Sequence, residues 1–67
     1  MRITVDKDSD TLYFRLDESR VRESEEVRPG VILDYDKEDR VVGIEFLNIS
    51  TRAPREELRS IRFDSGE

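Results

Sequence analysis

RPGVILDYDKEDRVVGIEFL, residues 28–47, is the stretch on which the fold turns. Pro29 pre-sets φ for the second position of a turn, and Gly30 accepts the positive φ that a type II turn requires at its third. Beyond the turn, Val31, Leu33 and Tyr35 alternate with Ile32, Asp34 and Asp36. That period of two is the mark of a strand with one apolar face. Lys37-Glu38-Asp39-Arg40 reads as a polar reversal. Residues 41–47 return as a second strand, with Val42, Ile44 and Phe46 on one side. Glycine inside a strand marks a bulge or a close backbone approach. Gly43 is therefore expected to admit a helix or a partner chain against the sheet.

A second hairpin is expected over about residues 2–17. Ile3 and Val5 alternate with Arg2 and Thr4, and Leu12, Phe14 and Leu16 alternate with Tyr13 and Arg15. Between them, Asp6-Lys7-Asp8-Ser9-Asp10 is turn chemistry, because these side chains hydrogen-bond their own backbone. Residues 17–26 are polar and read as a loop with at most a brief edge strand. Near the C-terminus Pro54 suits the first helical position, and Glu56 and Glu57 complement the positive end of a helix. Two or three helical turns are expected there. The fold class is thus α+β: two antiparallel hairpins in a sheet of about four strands, with a short C-terminal helix across it or across a partner. One small domain over 1–63 is expected, with a frayed tail at 64–67. Leu12, Phe14, Leu16, Leu33, Tyr35, Val42, Ile44 and Phe46 are assigned to one common core face, since a one-residue slip would reverse each set.

Composition sets the energetic problem. The chain has 67 residues, 34% of them hydrophobic, and no cysteine. A unit this small buries a modest fraction of its surface, and it carries no disulfide to staple it. Association is the remaining way to bury apolar area, so a homo-oligomer is expected, a two-fold dimer above all. The formal net charge of −5 argues against nucleic acid as a partner. There is no secretory h-region and no run of 18 apolar residues. A cytoplasmic protein without membrane contact is the resulting expectation.

The residue inventory excludes most catalysis. Histidine and cysteine are both absent, which removes the commonest general base, the commonest zinc ligand and thiol nucleophiles. The three glycines stand apart, so no phosphate-cradling loop exists. The chain is accordingly read as not an enzyme, with no catalytic, cofactor-binding or metal-binding residues and no cofactor. Asp6-x-Asp8-x-Asp10 matches the opening ligands of a calcium loop. Thr11 stands where that loop needs its glycine, however, and Asp17 where it needs a bidentate glutamate. A charged hairpin turn is the favoured reading, with calcium affinity no tighter than millimolar. Asp34, Asp36, Glu38 and Asp39 form a second acidic edge, read as a solvated strand end. Arg52, Arg55, Arg59 and Arg62 are spaced to form a stripe on a helix. A solvated face with Arg52–Glu56 and Glu56–Arg59 pairs is the favoured reading over a phosphate or acidic-protein contact.

One further pattern spans most of the chain. Asp6-x-x-x-Asp10-x-Leu12-Tyr13-Phe14-x-Leu16 is followed by Glu25-Glu26-Val27-x-Pro29-Gly30-Val31-Ile32-Leu33-Asp34-Tyr35-Asp36 and then by Val42-Gly43-Ile44-Glu45-Phe46-Leu47. Over about residues 1–50 this resembles a widespread prokaryotic family, the domain of unknown function numbered 2283. The family has no assigned activity, so the resemblance carries no catalytic residue to this chain. It implies, for members encoded beside small toxin-like proteins, an antitoxin role. Thr11 departs from an expected alanine, and Asp39-Arg40 from an expected glycine-containing turn. The leading functional reading is a non-enzymatic, self-associating interaction protein. The alternative is an acidic antitoxin that covers a small ribonuclease-like toxin, and a carboxylate-dependent enzyme is a distant third.

Overall fold

Five strands form, one more than expected, in an antiparallel sheet of order β1-β2-β5-β4-β3. They are β1 (Arg2–Asp6), β2 (Thr11–Arg15), β3 (Glu23–Arg28), β4 (Val31–Tyr35) and β5 (Val41–Leu47). A 3₁₀ turn at Ile49–Thr51 and one short helix, α1 (Arg55–Arg59), follow among the described residues. The coordinates are a computed structural model that describes residues 1–64. Of the expected tail at 64–67, residues 65–67 lie outside the described residues.

The added strand is β3. Its Glu-Ser-Glu-Glu run has poor strand propensity, which is why the sequence reads as a loop. Pro29-Gly30 nevertheless joins it to β4 through a two-residue loop, with Glu26 opposite Ile32 and Arg28 opposite Val31. So tight a reversal is a hairpin connection, and it requires a strand on both sides. Gly30 has φ +76°, the left-handed value demanded of the third position of a type II turn. At the sheet edge the glutamates reach water without cost, so pairing wins over propensity.

Strand β5 enters last in the chain but sits at the centre, between β2 and β4. Phe14 lies opposite both Ile3 and Ile44, and Ile44 lies opposite Leu33. Leu12 lies opposite both Val5 and Phe46, and Phe46 lies opposite Val31. Directly paired residues share a face. The assignment of Leu12, Phe14, Leu33, Ile44 and Phe46 to one side therefore holds. The Phe14 and Phe46 rings meet edge to face, with centroids 6.3 Å apart.

That face is not a closed core. Among the described residues Val42 and Ile49 are the buried hydrophobic ones, while Val5, Leu12, Phe14, Leu33, Ile44 and Phe46 are half-buried and Ile3 is exposed. Leu16, assigned to the core from its alternation, follows the end of β2 and is 41% exposed. The helix is also shorter than expected, five residues instead of two or three turns. Pro54 stands at its N-cap rather than inside it, and Ser60 leaves helical geometry at φ −121°. It lies across the turn end of the β1–β2 hairpin, where Leu58 and Val5 border a shared groove with Ile49. The middle of the sheet has no second layer among the described residues.

Candidate functional site

The two sides of the sheet differ in kind. On one lie Ile3, Val5, Leu12, Phe14, Leu33, Ile44 and Phe46, placed together by the register. A sheet with one apolar face is stable when that face is laid against another layer. Here the face is an open apolar surface, bounded along β3 by Glu23 and Glu25, opposite Tyr35 and Leu33.

The other side carries a hydrogen-bond network that the sequence reading missed. Tyr13 Oη donates to Asp34 Oδ2 at 2.6 Å, and Ser24 Oγ donates to Asp34 Oδ1 at 2.6 Å. Arg15 Nη1 donates to Tyr13 Oη at 3.0 Å. The same guanidinium donates to the Asp17 and Ser19 carbonyls, which ties the loop after β2 to the sheet. Burial first, and then the bond to Asp34, pushes the Tyr13 phenol above its ordinary range. The signal lay in the period: Tyr13, Arg15 and Asp34 all fall on the polar side of their strands. The close approach at Gly43 is made by the Tyr13 ring and not by a helix. A Cβ there would stand 2.5 Å from Tyr13 Oη and 2.9 Å from Asp34 Oδ2. A side chain at 43 would thus push the phenol off Asp34.

Two of the acidic turn residues, Asp6 and Asp10, are spent on structure. Asp6 Oδ1 accepts the Asp8 N–H at 3.0 Å, closing its own loop. Asp10 takes φ +57° and turns the other way. Its carboxylate accepts the Ser50 N–H at 3.1 Å and the Ser50 hydroxyl at 2.8 Å. Its carbonyl accepts the Ile49 N–H at 3.0 Å. Asp10 thereby docks the 3₁₀ turn on the β1–β2 hairpin. Among the described residues no three acidic groups converge in a metal-binding cluster.

Asp36, read as part of a solvated acidic edge, is instead 3% exposed. Its carboxylate accepts the N–H groups of Glu38 at 2.8 Å and Arg40 at 3.0 Å, and the Arg40 Nε at 3.0 Å. The Arg40 N–H foremost, then the Glu38 N–H and the Arg40 guanidinium, hold its carboxyl below the ordinary carboxylate range against the opposing effect of burial. Asp39 takes φ +62°, and Arg22 Nη2 donates to its Oδ1 at 2.8 Å. A carboxyl with a depressed native pKa stabilises the fold above its unfolded pKa of about 3.9, and that contribution disappears as pH falls through the native value. Asp36→Asn should therefore weaken the protein near neutrality. The gap from wild type should shrink as pH drops below about 4. Urea titrations across pH would show this, and a gap unchanged down to acid pH would exclude the assignment.

The arginine stripe does not form. Arg52 precedes the helix and donates to the Pro29 carbonyl at 2.7 Å, clamping the β3–β4 turn. Arg55 and Arg59 lie on α1, while Arg62 follows it, 3.5 Å from Asp64. Beside Asp36, an open basin of about 610 Å³ is lined by Arg20, Arg22, Lys37 and Arg40, among others. Two of these are already paired, Arg22 with Asp39 and Arg40 with Asp36 and Glu38. No helix among the described residues is long and apolar enough to cross a membrane.

Neither the curated proteins nor the solved structures compared with the chain gave a match. A family described as protein of unknown function (DUF2283) matches residues 2–50. Those residues hold all five strands, the Pro29-Gly30 turn, the Tyr13–Asp34 network and the Asp36 turn. The chain belongs to the DUF2283 family of proteins of unknown function.

Proposed function

We propose that this chain acts by association and not by catalysis: a non-enzymatic protein that binds copies of itself through the apolar face of its sheet. The observation that carries the reading is the open face itself. Phe14, Ile44, Leu33 and Phe46 lie together at its middle, half-buried and without a second layer among the described residues. A second copy supplies a surface of matching character, and one self-complementary patch suffices for a closed two-fold pair. The acidic groups close to hand are committed to turn and network bonds, which supports the non-enzymatic part of the reading.

Association stabilises only the folded form, so the melting temperature should rise with protein concentration. Light scattering should give a mass above the 7.9 kDa of one chain. A monomer mass at high micromolar concentration, with a melting point insensitive to dilution, would end the self-association reading. It would leave the face to a partner of another sequence, the acidic antitoxin reading included.

A further inference from the structure

We infer that β1 is a pairing edge, and that two copies join β1 to β1 antiparallel about a two-fold axis at Thr4, extending the sheet to ten strands. The inference rests on the self-association reading and adds a contact separate from the apolar face. The sheet has two edges, and they are built differently. On β3 the edge is guarded: Glu23, Glu25 and Glu26 line it, and a bulge falls between Glu26 and Arg28. Charged side chains and bulges are the usual means by which an edge strand is kept from pairing with another chain. On β1 the strand runs Arg2-Ile3-Thr4-Val5-Asp6, with regular register to β2 and neither proline nor bulge. Its centre is Ile-Thr-Val, an uncharged β-branched run of the kind that favours pairing. Four of its five residues are exposed.

The sequence of β1 is complementary to itself read backwards. With Thr4 opposite the partner's Thr4, Arg2 falls opposite the partner's Asp6 and Ile3 opposite the partner's Val5. Each relation repeats across the axis. Opposite charges and paired β-branched residues at directly facing positions both stabilise an antiparallel ladder. In the same register Ile3 and Val5 stay on the apolar side, because directly paired residues share a face. Arg2 lies 3.7 Å from Glu18 within its own chain. A guanidinium with five donors can hold that contact and a second carboxylate. Asp6 uses its Oδ1 on its own turn, bonding the N–H groups of Asp8 and Ser9. The axis of this contact runs perpendicular to the sheet, so the apolar face remains open for the first contact.

The chain has no cysteine, which makes the register directly testable. Facing positions of an antiparallel pair have Cα atoms about 4.5–5.5 Å apart, within the range a disulfide spans. Thr4→Cys should form an intermolecular disulfide under mild oxidation, while Glu25→Cys on the guarded edge should stay reduced. Thr4→Lys should place two ammonium groups at the axis and lower the mass measured by light scattering by half, with the circular dichroism of the fold retained. A Thr4→Cys chain that cross-links no faster than Glu25→Cys, or a Thr4→Lys chain of unchanged mass, would overturn the β1 contact while self-association stands. A wild-type chain that scatters as a monomer would overturn both.

Discussion

Ile49→Ala is expected to lower the free energy of unfolding by about 2–5 kcal/mol, the range for truncating a buried isoleucine. Ile49 is 5% exposed, one of two buried hydrophobic residues among the described residues. Its place is fixed by backbone as well as by packing. The Asp10 carbonyl holds the Ile49 N–H, and the Asp10 carboxylate holds Ser50. With the backbone pinned, the site cannot collapse onto the missing atoms, and a cavity remains. That favours the upper part of the range. Burial here is complete within one chain, so the loss should be the same over a roughly hundredfold range of protein concentration. Urea denaturation at both ends of such a range measures it. A loss well below about 1 kcal/mol would mean that the 3₁₀ turn does not seal the hairpin end.

Alternation alone makes most of the sheet legible in the sequence. Leu12, Phe14, Leu33, Ile44 and Phe46 each repeat at a period of two, and a strand buried on one side can be placed no other way. The Pro29-Gly30 turn was equally plain, because few residue pairs satisfy its angles. Strand β3 was hidden because its residues are chosen for an edge, where repulsion of neighbours outweighs propensity. Its signature was indirect, in the two-residue turn that required a partner strand. The Tyr13–Asp34 bond was hidden for a different reason. It joins residues 21 apart in the chain on strands that are not neighbours, across the bare backbone of Gly43. Nothing local encodes the order β2-β5-β4 that brings them together. Asp10 and Asp36 illustrate the same limit. Both belong to acidic runs that composition reads as solvated, and their left-handed or enclosed backbone settings appear only once the turns are closed.

On the self-association proposed above, Ile44→Ala should separate the stability of the single chain from that of the assembly. Ile44 stands at the centre of the apolar face, opposite Phe14 on one side and Leu33 on the other. In a single chain it is half-buried. Truncating it there removes contact with its strand neighbours alone and should cost about 1 kcal/mol, part of the 1.5–3 kcal/mol that full burial of such a side chain provides. Under a second copy the same side chain becomes interior. The cost should then climb toward the about 2–5 kcal/mol of a core truncation. The expected result is a penalty that grows with protein concentration, opposite in behaviour to that of Ile49→Ala. The melting temperature of Ile44→Ala should also rise less steeply with concentration than that of the wild type, because the variant gains less from association. Ile44→Asp sharpens the contrast, since an interface centre cannot accept an unpaired carboxylate, whereas a half-exposed strand position can leave it in water. A penalty for Ile44→Ala that stays flat across dilution, at the size of a core truncation, would place the covering layer within the single chain and remove the apolar face as the surface of association.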